Sequence, residues 1–361
     1  MQLTALLVQH VRRICAAKMY PSKEVNLISG QNGSGKTSLL ESIHYLATAR
    51  SFRTTRASDV ISHGQNALFV NGELQGATGQ SYRVGVEKTR KTTRLKLNGE
   101  VVRISSKIAR LVPVLTFNTE SHLLLNGGPA NRRALLDRLL FHVEQRYLEV
   151  LKGYYRALKQ RNSLLRTRAS RTQVELWDAQ LAPIVAELDS WRGECISTIN
   201  RYLEDSEVAD TCGSLRLEYQ RGWHPDQEYA ELLAATFPRD CEVGLTTSGP
   251  HRAEIRIFVD EKLAKTIVSR GQGKLIIAAI VCAQAQYLRD RSQEEPILLI
   301  DDLSSELDRT GRSLAARMLL STKAQTFFTA IDAVDLPLEV RASAMLFHVE
   351  HGQVSPMAMA G

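Results

Sequence analysis

The sequence predicts an α/β fold interrupted by a second, mostly helical lobe, and three observations carry that expectation. First, the strand 25–29 leads directly into Gly30-Gln31-Asn32-Gly33-Ser34-Gly35-Lys36-Thr37, and a helix follows from about Lys36 to Ala47. Second, four apolar residues, Ile297 to Ile300, end in Asp301-Asp302. Third, apolar side chains recur at helical spacing from Asn131 to about Arg168 (Leu135, Leu136, Leu139, Val143, Tyr147, Val150, Tyr154, Leu158) and again from Trp177 to about Tyr202. The first two are strand-to-loop junctions of a parallel sheet, and the third is the inserted lobe. The expected division is 1–125 and 241–361 for the two parts of the α/β domain, with 126–240 as the insertion.

Other elements follow from local pattern. Leu3 to Val8 reads as an opening strand, and Leu68 to Leu74, Tyr82 to Glu87 and Arg94 to Leu97 read as a small antiparallel sheet with Asn98-Gly99 as a tight turn. Pro113 to Phe117, Leu215 to Tyr219, Ala253 to Val259 and Thr326 to Thr329 are further strands, and Arg309 to Leu320 a helix. Val354 to Gly361 carries no pattern and reads as a loose end.

Composition narrows the function. At 361 residues and 43% hydrophobic, the chain can bury a sizeable core. Forty-six Lys and Arg against thirty-nine Asp and Glu leave a charge of +7, which favours a polyanionic partner such as nucleic acid. The cysteines, Cys15, Cys195, Cys212, Cys241 and Cys282, are scattered without metal-binding spacing and read as reduced thiols. No stretch approaches the roughly 18 consecutive apolar residues of a membrane span, and the basic residues of the N-terminus follow its apolar stretch, unlike a secretory signal. The expectation is a cytoplasmic protein with no membrane partner.

The chemistry lies in three motifs. In the glycine-rich loop, small residues let backbone N–H groups wrap a β-phosphate, Lys36 bridges β- and γ-oxygens, and the Thr37 hydroxyl takes Mg²⁺. The acidic strand delivers Asp301 to that metal, while Asp302 orients or deprotonates the attacking water. Ser269-Arg270-Gly271-Gln272 opens an apolar helix and offers a hydroxyl, N–H groups and a helix dipole to a second anion. Two anion sites in one chain are explained economically by two copies facing each other, each signature run closing over the other's nucleotide.

Phosphate loop, signature helix, acidic strand and the run Ser305-Glu306-Leu307-Asp308, in this order, resemble the ATP-binding cassette superfamily. The fold expected is therefore a cassette-type P-loop ATPase head with the helical lobe inserted. Within that superfamily the chain resembles the RecF family of bacterial recombination mediators over nearly its whole length. The matching runs are GQNGSGKTSLLESI (30–43), RSFR (50–53), NGGPANRRALLD (126–137), LKQRN (158–162), QRGW (220–223), SGPHRAEI (248–255), SRGQ (269–272) and LIDDLSSELD (299–308). The resemblance implies nucleotide contacts from Gly30 through Ser38 and ATP-dependent dimerisation. It also implies binding to duplex DNA near single-strand gaps, and cooperation with RecO and RecR in loading RecA during repair, replication restart and the damage response. Rival readings are an ATPase subunit energising a non-DNA partner, or a repair scaffold indifferent to ATP.

Departures from the family pattern matter too. Val11-Arg12-Arg13 stands where Phe-Arg-Asn is usual, so Arg13 serves either the nucleotide or DNA. Asp302 replaces the cassette glutamate and Ile331 lies where a histidine is usual, from which slow hydrolysis is expected. Asn118 either senses metal and γ-phosphate through its amide oxygen or caps its loop. Gly273 follows the signature in place of a bulkier residue and could loosen the closed dimer.

Candidate DNA contacts are Lys88, Arg90, Lys91, Arg94 and Lys96 beside the predicted hairpin, or else these form a solvated edge that resists aggregation. Lys152, Arg156, Lys159, Arg161, Arg166, Arg168 and Arg171 give the helical lobe the same choice. Sparse aromatics at these places favour duplex backbone contact over stacking on single strands. Arg132-Arg133 at a helix start require compensation by DNA, Asp137 or a partner, and His251-Arg252 read as structural or interface groups, or as catalytic ones.

Overall fold

Val25–Ser29, Ile297–Ile300 and Thr326–Ala330 are buried at every position, as expected of strands in a parallel sheet covered on both faces. In the computed structural model, which describes residues 1–357 other than 77, 104, 225 and 293, these strands belong to one six-stranded sheet. Its order is Gln353–Met357, Ala344–Glu350, Val25–Ser29, Thr326–Ala330, Ile297–Ile300, Val114–Phe117. Every neighbouring pair is parallel except the edge hairpin 344–357. The carboxyl ends of Val25–Ser29 and Ile297–Ile300 therefore open on the same sheet edge, with Thr326–Ala330 between them.

One expectation is corrected here. Residues 354–357 are not loose: Gln353–Met357 pairs antiparallel with Ala344–Glu350. Residues 358–361 lie outside the described residues. The hairpin was hard to read because its outer strand exposes alternate polar residues and contains Pro356, which an edge strand tolerates.

A second six-stranded sheet is antiparallel, in the order Ile14–Met19, Gln2–Val11, Ala67–Gln75, Ser81–Thr89, Thr93–Leu97, Glu100–Val102. Asn98 and Gly99 both adopt positive φ, 51° and 89°, forming the tight turn between the last two strands. The helix Lys36–Thr48 packs against strands of both sheets and is buried without a break from Ser38 to Ala47. That enclosure takes in polar residues too: Ser38, Glu41, Ser42 and His44 are buried with the apolar ones. These elements, with Ser206–Cys212 and the chain from Val268 onward, make up the first of two units.

The second unit comprises Leu123–Asp205 and Gly213–Ile267. The helical pattern from Asn131 to Arg168 is two helices, Pro129–Val143 and Tyr147–Arg166, because Glu144 is extended; Tyr147 donates back to Asp137 Oδ1 at 2.6 Å. Arg171–Glu204 begins ahead of the expected start and contains Pro183, which removes one helical hydrogen bond. Tyr229–Val243 is a further helix, ended by Gly244 at φ 70°. The second unit runs past the expected boundary at 240 because Leu215–Gln220 and Glu254–Val259 pair with each other as the core of a three-stranded sheet.

Three arginines of this unit, Arg132, Arg161 and Arg192, are buried. Arg161 is fully buried and donates to Asp178 at 2.6 Å, to Asp240 at 2.7 Å and to Thr246 at 2.8 Å. Arg192 reaches Asp137 at 2.8 Å and the Pro250 carbonyl at 2.9 Å. Arg132 grips both oxygens of Glu254 at 2.7 Å, and Arg133 donates to the Ala253 carbonyl at 2.8 Å. The compensating acid for Arg132 is thus Glu254, not Asp137, which Arg192 and Tyr147 occupy. His251 is neutral: burial pushes it down to about 4, its Nδ1 accepts from Tyr154 Oη at 2.6 Å, and its Nε2 donates to the Thr246 carbonyl at 3.0 Å.

Candidate nucleotide-binding site

The phosphate loop is built from backbone shapes that side chains would obstruct. Gly30 has φ 149°, and a Cβ there would lie 2.2 Å from the Val349 carbonyl oxygen; Gly33 and Gly35 have φ 77° and 124°. The loop is tied to the sheet edge by Gly30 N–H to the Ile331 carbonyl at 3.1 Å and by Gly352 N–H to the Ser34 carbonyl at 3.0 Å. Lys36 Nζ bends back over the loop and donates to the Gly30 and Gln31 carbonyls at 2.6 and 3.0 Å. Burial lowers its pKa, with Asp301 and Asp302 opposing. Among the described residues Ser34 Oγ is buried without a hydrogen-bond partner. A cradle with an unsatisfied hydroxyl, crowded glycines and a folded-back lysine fits an incoming polyphosphate.

Asp301 ends its strand beside the loop. Thr37 Oγ1 donates to its carboxylate at 3.1 and 3.0 Å, and Thr329 Oγ1 donates to Oδ1 at 2.7 Å. Thr329 also accepts from Asp302 N–H at 2.9 Å, and Asp302 holds a left-handed conformation, φ 53°. Thr329, on the strand between the two motif strands, thereby sets both acids. The sequence reading missed it, although a hydroxyl following Phe327-Phe328 near the carboxyl end of the buried Thr326–Ala330 strand is the signal that could have found it. Thr37 and Asp301 are a fitting pair for Mg²⁺. No group of three or more His, Cys, Asp or Glu among the described residues could hold a metal by itself, so nucleotide oxygens would have to complete the shell.

These residues open on a cleft of about 670 Å³, lined by Arg13, Lys36, Thr37, Ser38, Arg53, Asn118, Asp301, Asp302 and Ile331 among others. Arg13 belongs to this cleft: its Nη1 donates to the Gly33 carbonyl at 2.6 Å. Arg12, at φ 51°, also lines the cleft, with its guanidinium in an ion pair with the buried Glu41 that Ser51 also joins. Asn118 lines the cleft, but its amide oxygen already accepts Glu120 N–H at 2.9 Å, so in this state it caps its loop. Any approach to metal through that oxygen requires the cap to open.

The signature run is not part of this cleft. Ser269 is exposed and caps the helix Arg270–Ser292: Gln272 N–H donates to Ser269 Oγ at 3.2 Å, and Ser269 N–H to Gln272 Oε1 at 3.0 Å. Arg270 is 89% exposed, with Glu306 at 3.9 Å. One turn on, Gly273 is buried within the helix. Lys274, a second residue the sequence reading passed over, donates to the Asp302 carbonyl at 2.7 Å and to the Ser305 carbonyl and hydroxyl at 2.8 and 2.7 Å. It links the signature helix to the loop after the acidic strand, and a lone cation entering a long apolar helix was its signal.

The basic hairpin is split by strand register. Arg94 and Lys96 lie on the face opposite the buried Leu95, and Glu87 faces Arg94 across the strands. Lys88 donates to Thr93 Oγ1 at 2.8 Å, while Arg90 and Lys91 occupy the turn between Thr89 and Thr92.

A phosphate loop and an acidic pair at adjoining sheet ends, with a self-capped signature helix outside the cleft, define a cassette-type ATPase head. Residues 2–353 match the family model described as RecF/RecN/SMC N terminal domain. The chain is 38% identical over 355 residues to the DNA replication and repair protein RecF of Thioalkalivibrio sulfidiphilus, covering 98% of both. It is 39% identical over 361 residues to that of Azotobacter vinelandii, again covering 98% of both. The chain belongs to the RecF family. Its fold is that of a solved structure of the recombination mediator protein RecF with ATP, from the RecFOR pathway, at TM-score 0.86 and 23% identity over 99% of this chain and 98% of that one. An Smc head bound to the C-terminal winged-helix domain of ScpA follows at TM-score 0.62 and 15% identity, covering 100% of this chain and 98% of the other. Among the described residues no helix is long and apolar enough to cross a membrane.

Proposed function

We propose that this protein is an ATP-gated recombination mediator in the cytoplasm: it binds duplex DNA near single-strand gaps and, with RecR and RecO, helps load RecA. One observation carries the reading. Each chain holds a folded nucleotide cleft, yet its signature run lies outside that cleft, exposed and satisfied only by its own helix cap. A second copy is what such a run can close upon.

In the proposed cycle, Gly30 through Ser38 wrap the β- and γ-phosphates of ATP, and Lys36 exchanges its loop carbonyls for phosphate oxygens. Thr37 and Asp301 would hold Mg²⁺, which when bound would neutralise phosphate charge. Ser269 of the second copy exchanges its cap bond for the γ-phosphate, and the joined heads hold DNA until hydrolysis releases them. Hydrolysis is slow, since Asp302 is a methylene shorter than glutamate and Ile331 at the cleft offers no hydrogen bond to the water.

The test is a gel shift of gapped duplex with ATP, a non-hydrolysable analogue and ADP. ATP and the analogue should support binding and ADP should not. Equal binding with all three sinks the gating idea in favour of an ATP-indifferent scaffold. No binding with any points to an ATPase serving a non-DNA partner.

A further inference from the structure

We infer that a cleft of about 470 Å³ at the C-terminal end of the helix Lys36–Thr48, lined by Arg50, Arg94 and Arg103, is a phosphodiester site that grips the backbone of duplex DNA. This deepens the DNA-binding reading above and rests on it. The cleft lies in the first unit, apart from the nucleotide cleft, and shares no lining residue with it.

Four observations carry the inference. All three guanidinium groups are on exposed residues, and no ion pair or side-chain hydrogen bond engages any of them among the described residues. The acid nearest by register is Glu87, which faces Arg94 across the strands without an ion pair forming. The cleft is concave, with Leu95, Val101 and Val102 among its lining, so three exposed cations border one volume. No aromatic ring lines it, which removes the usual platform for stacked bases and leaves backbone contact. Planar guanidinium groups match phosphate oxygens two at a time, so three of them around one cleft suit successive phosphodiesters of a strand.

The rival surface named from sequence is weaker. In the helical lobe Arg161 is buried between Asp178 and Asp240, and Arg171 pairs with Glu175 at 2.8 Å. Lys152, Arg156 and Lys159 remain exposed there, but on a convex helix face. Lysines and arginines on such a face are commonly solvated.

Two combined variants separate the surfaces: Arg50→Ala/Arg94→Ala/Arg103→Ala and Lys152→Ala/Arg156→Ala/Lys159→Ala. Anisotropy of a labelled duplex with ATP is measured from low to moderate salt, and ATP affinity of each variant serves as the control for folding. The arginine variant should bind duplex about tenfold or more weakly and lose about two to three units of the salt slope, as three released phosphate contacts require. The lobe variant should stay within about twofold of the unaltered protein. Arg50→Lys/Arg94→Lys/Arg103→Lys should restore most of the slope, since it keeps the charges and loses only the planar fork. An arginine variant with normal duplex affinity and slope overturns the inference while leaving the function standing. So does a variant that loses only single-strand binding, or a lobe variant that takes the loss instead. If the unaltered protein binds no duplex with ATP, the function itself has failed, and this site with it.

Discussion

Around the phosphate loop the reacting groups hold one another in place before any ligand arrives; at the signature run they hold only themselves. Lys36 rests on two loop carbonyls, Thr37 and Thr329 fix Asp301, and Thr329 fixes Asp302 in turn. Ser269 and Gln272 form a closed cap with no tie to that cleft. The difference teaches how a single fold divides its labour. Polyphosphate binding needs preorganised donors and is completed within the chain. Closure needs a surface that can be spent on another molecule, so it is kept exposed and locally satisfied. Lys274 bridges the two, through the carbonyls of Asp302 and Ser305.

The comparison breaks most sharply at Lys36. Lys36→Ala removes a partly buried cation from the phosphate site, and ATP affinity should fall by about 3 kcal/mol, roughly a hundredfold, in a fluorescent-nucleotide titration. Retained affinity would mean that the loop backbone alone binds the nucleotide. Next comes Ser269. Aspartate caps helices as well as serine, so Ser269→Asp should leave folding and monomer ATP affinity intact while its carboxylate repels a γ-phosphate across the dimer. Light scattering should show at least tenfold weaker ATP-dependent dimerisation, and Ser269→Arg should block it by bulk. Normal dimerisation of both variants would remove the signature run from the interface.

Lys274 sharpens the link between the regions. Its ammonium is shared by three acceptors, and burial lowers its pKa despite Asp302 and Glu306. Lys274→Met keeps the stem and strips the bonds, which should cost about 2 kcal/mol in chemical denaturation. The same variant should lower ATP turnover more than ATP affinity, because it frees the loop beside Asp302 and leaves the phosphate loop untouched. An equal loss in both would make Lys274 a general support and no more.

How much of this was legible in the sequence differs between the same regions. The phosphate loop and acidic strand were readable because their chemistry is local: glycines, lysine and hydroxyl fall within one turn of chain, and strands in a buried parallel sheet are apolar throughout. Thr329 and Lys274 were not, since each acts across strands or loops and resembles its neighbours in the chain. The split of the helix at Glu144 was hidden because apolar spacing continued through it, and the hairpin 344–357 because an edge strand needs so little apolar pattern. Arg161, one of the arginines nominated for DNA in the lobe, illustrates the general limit. Charge is visible in sequence, but whether an arginine pairs inward, as Arg161 does with Asp178 and Asp240, depends on residues distant along the chain.

The smallest effect tests the completeness of the cleft. Arg13 stands where the family pattern has asparagine, and its guanidinium lies against the Gly33 carbonyl inside the nucleotide cleft. It is placed there by a tight turn: Arg12 adopts φ 51°, and Gly352, at φ 77°, packs so closely that a Cβ would sit 2.0 Å from the Arg13 carbonyl oxygen. If Arg13 only stiffens the loop, Arg13→Asn should weaken ATP, ADP and AMP alike. If it supplies charge to the polyphosphate, the loss should grow with phosphate number, reaching about 1.5 kcal/mol or tenfold for ATP with AMP unchanged. The second pattern is expected, because among the described residues the Arg13 side chain has a single backbone partner, which leaves donors of its guanidinium for a ligand, and it lines a cleft that already holds a lysine and an arginine. A uniform loss across the three nucleotides would return Arg13 to a purely supporting role and leave Lys36 as the principal cation of the site.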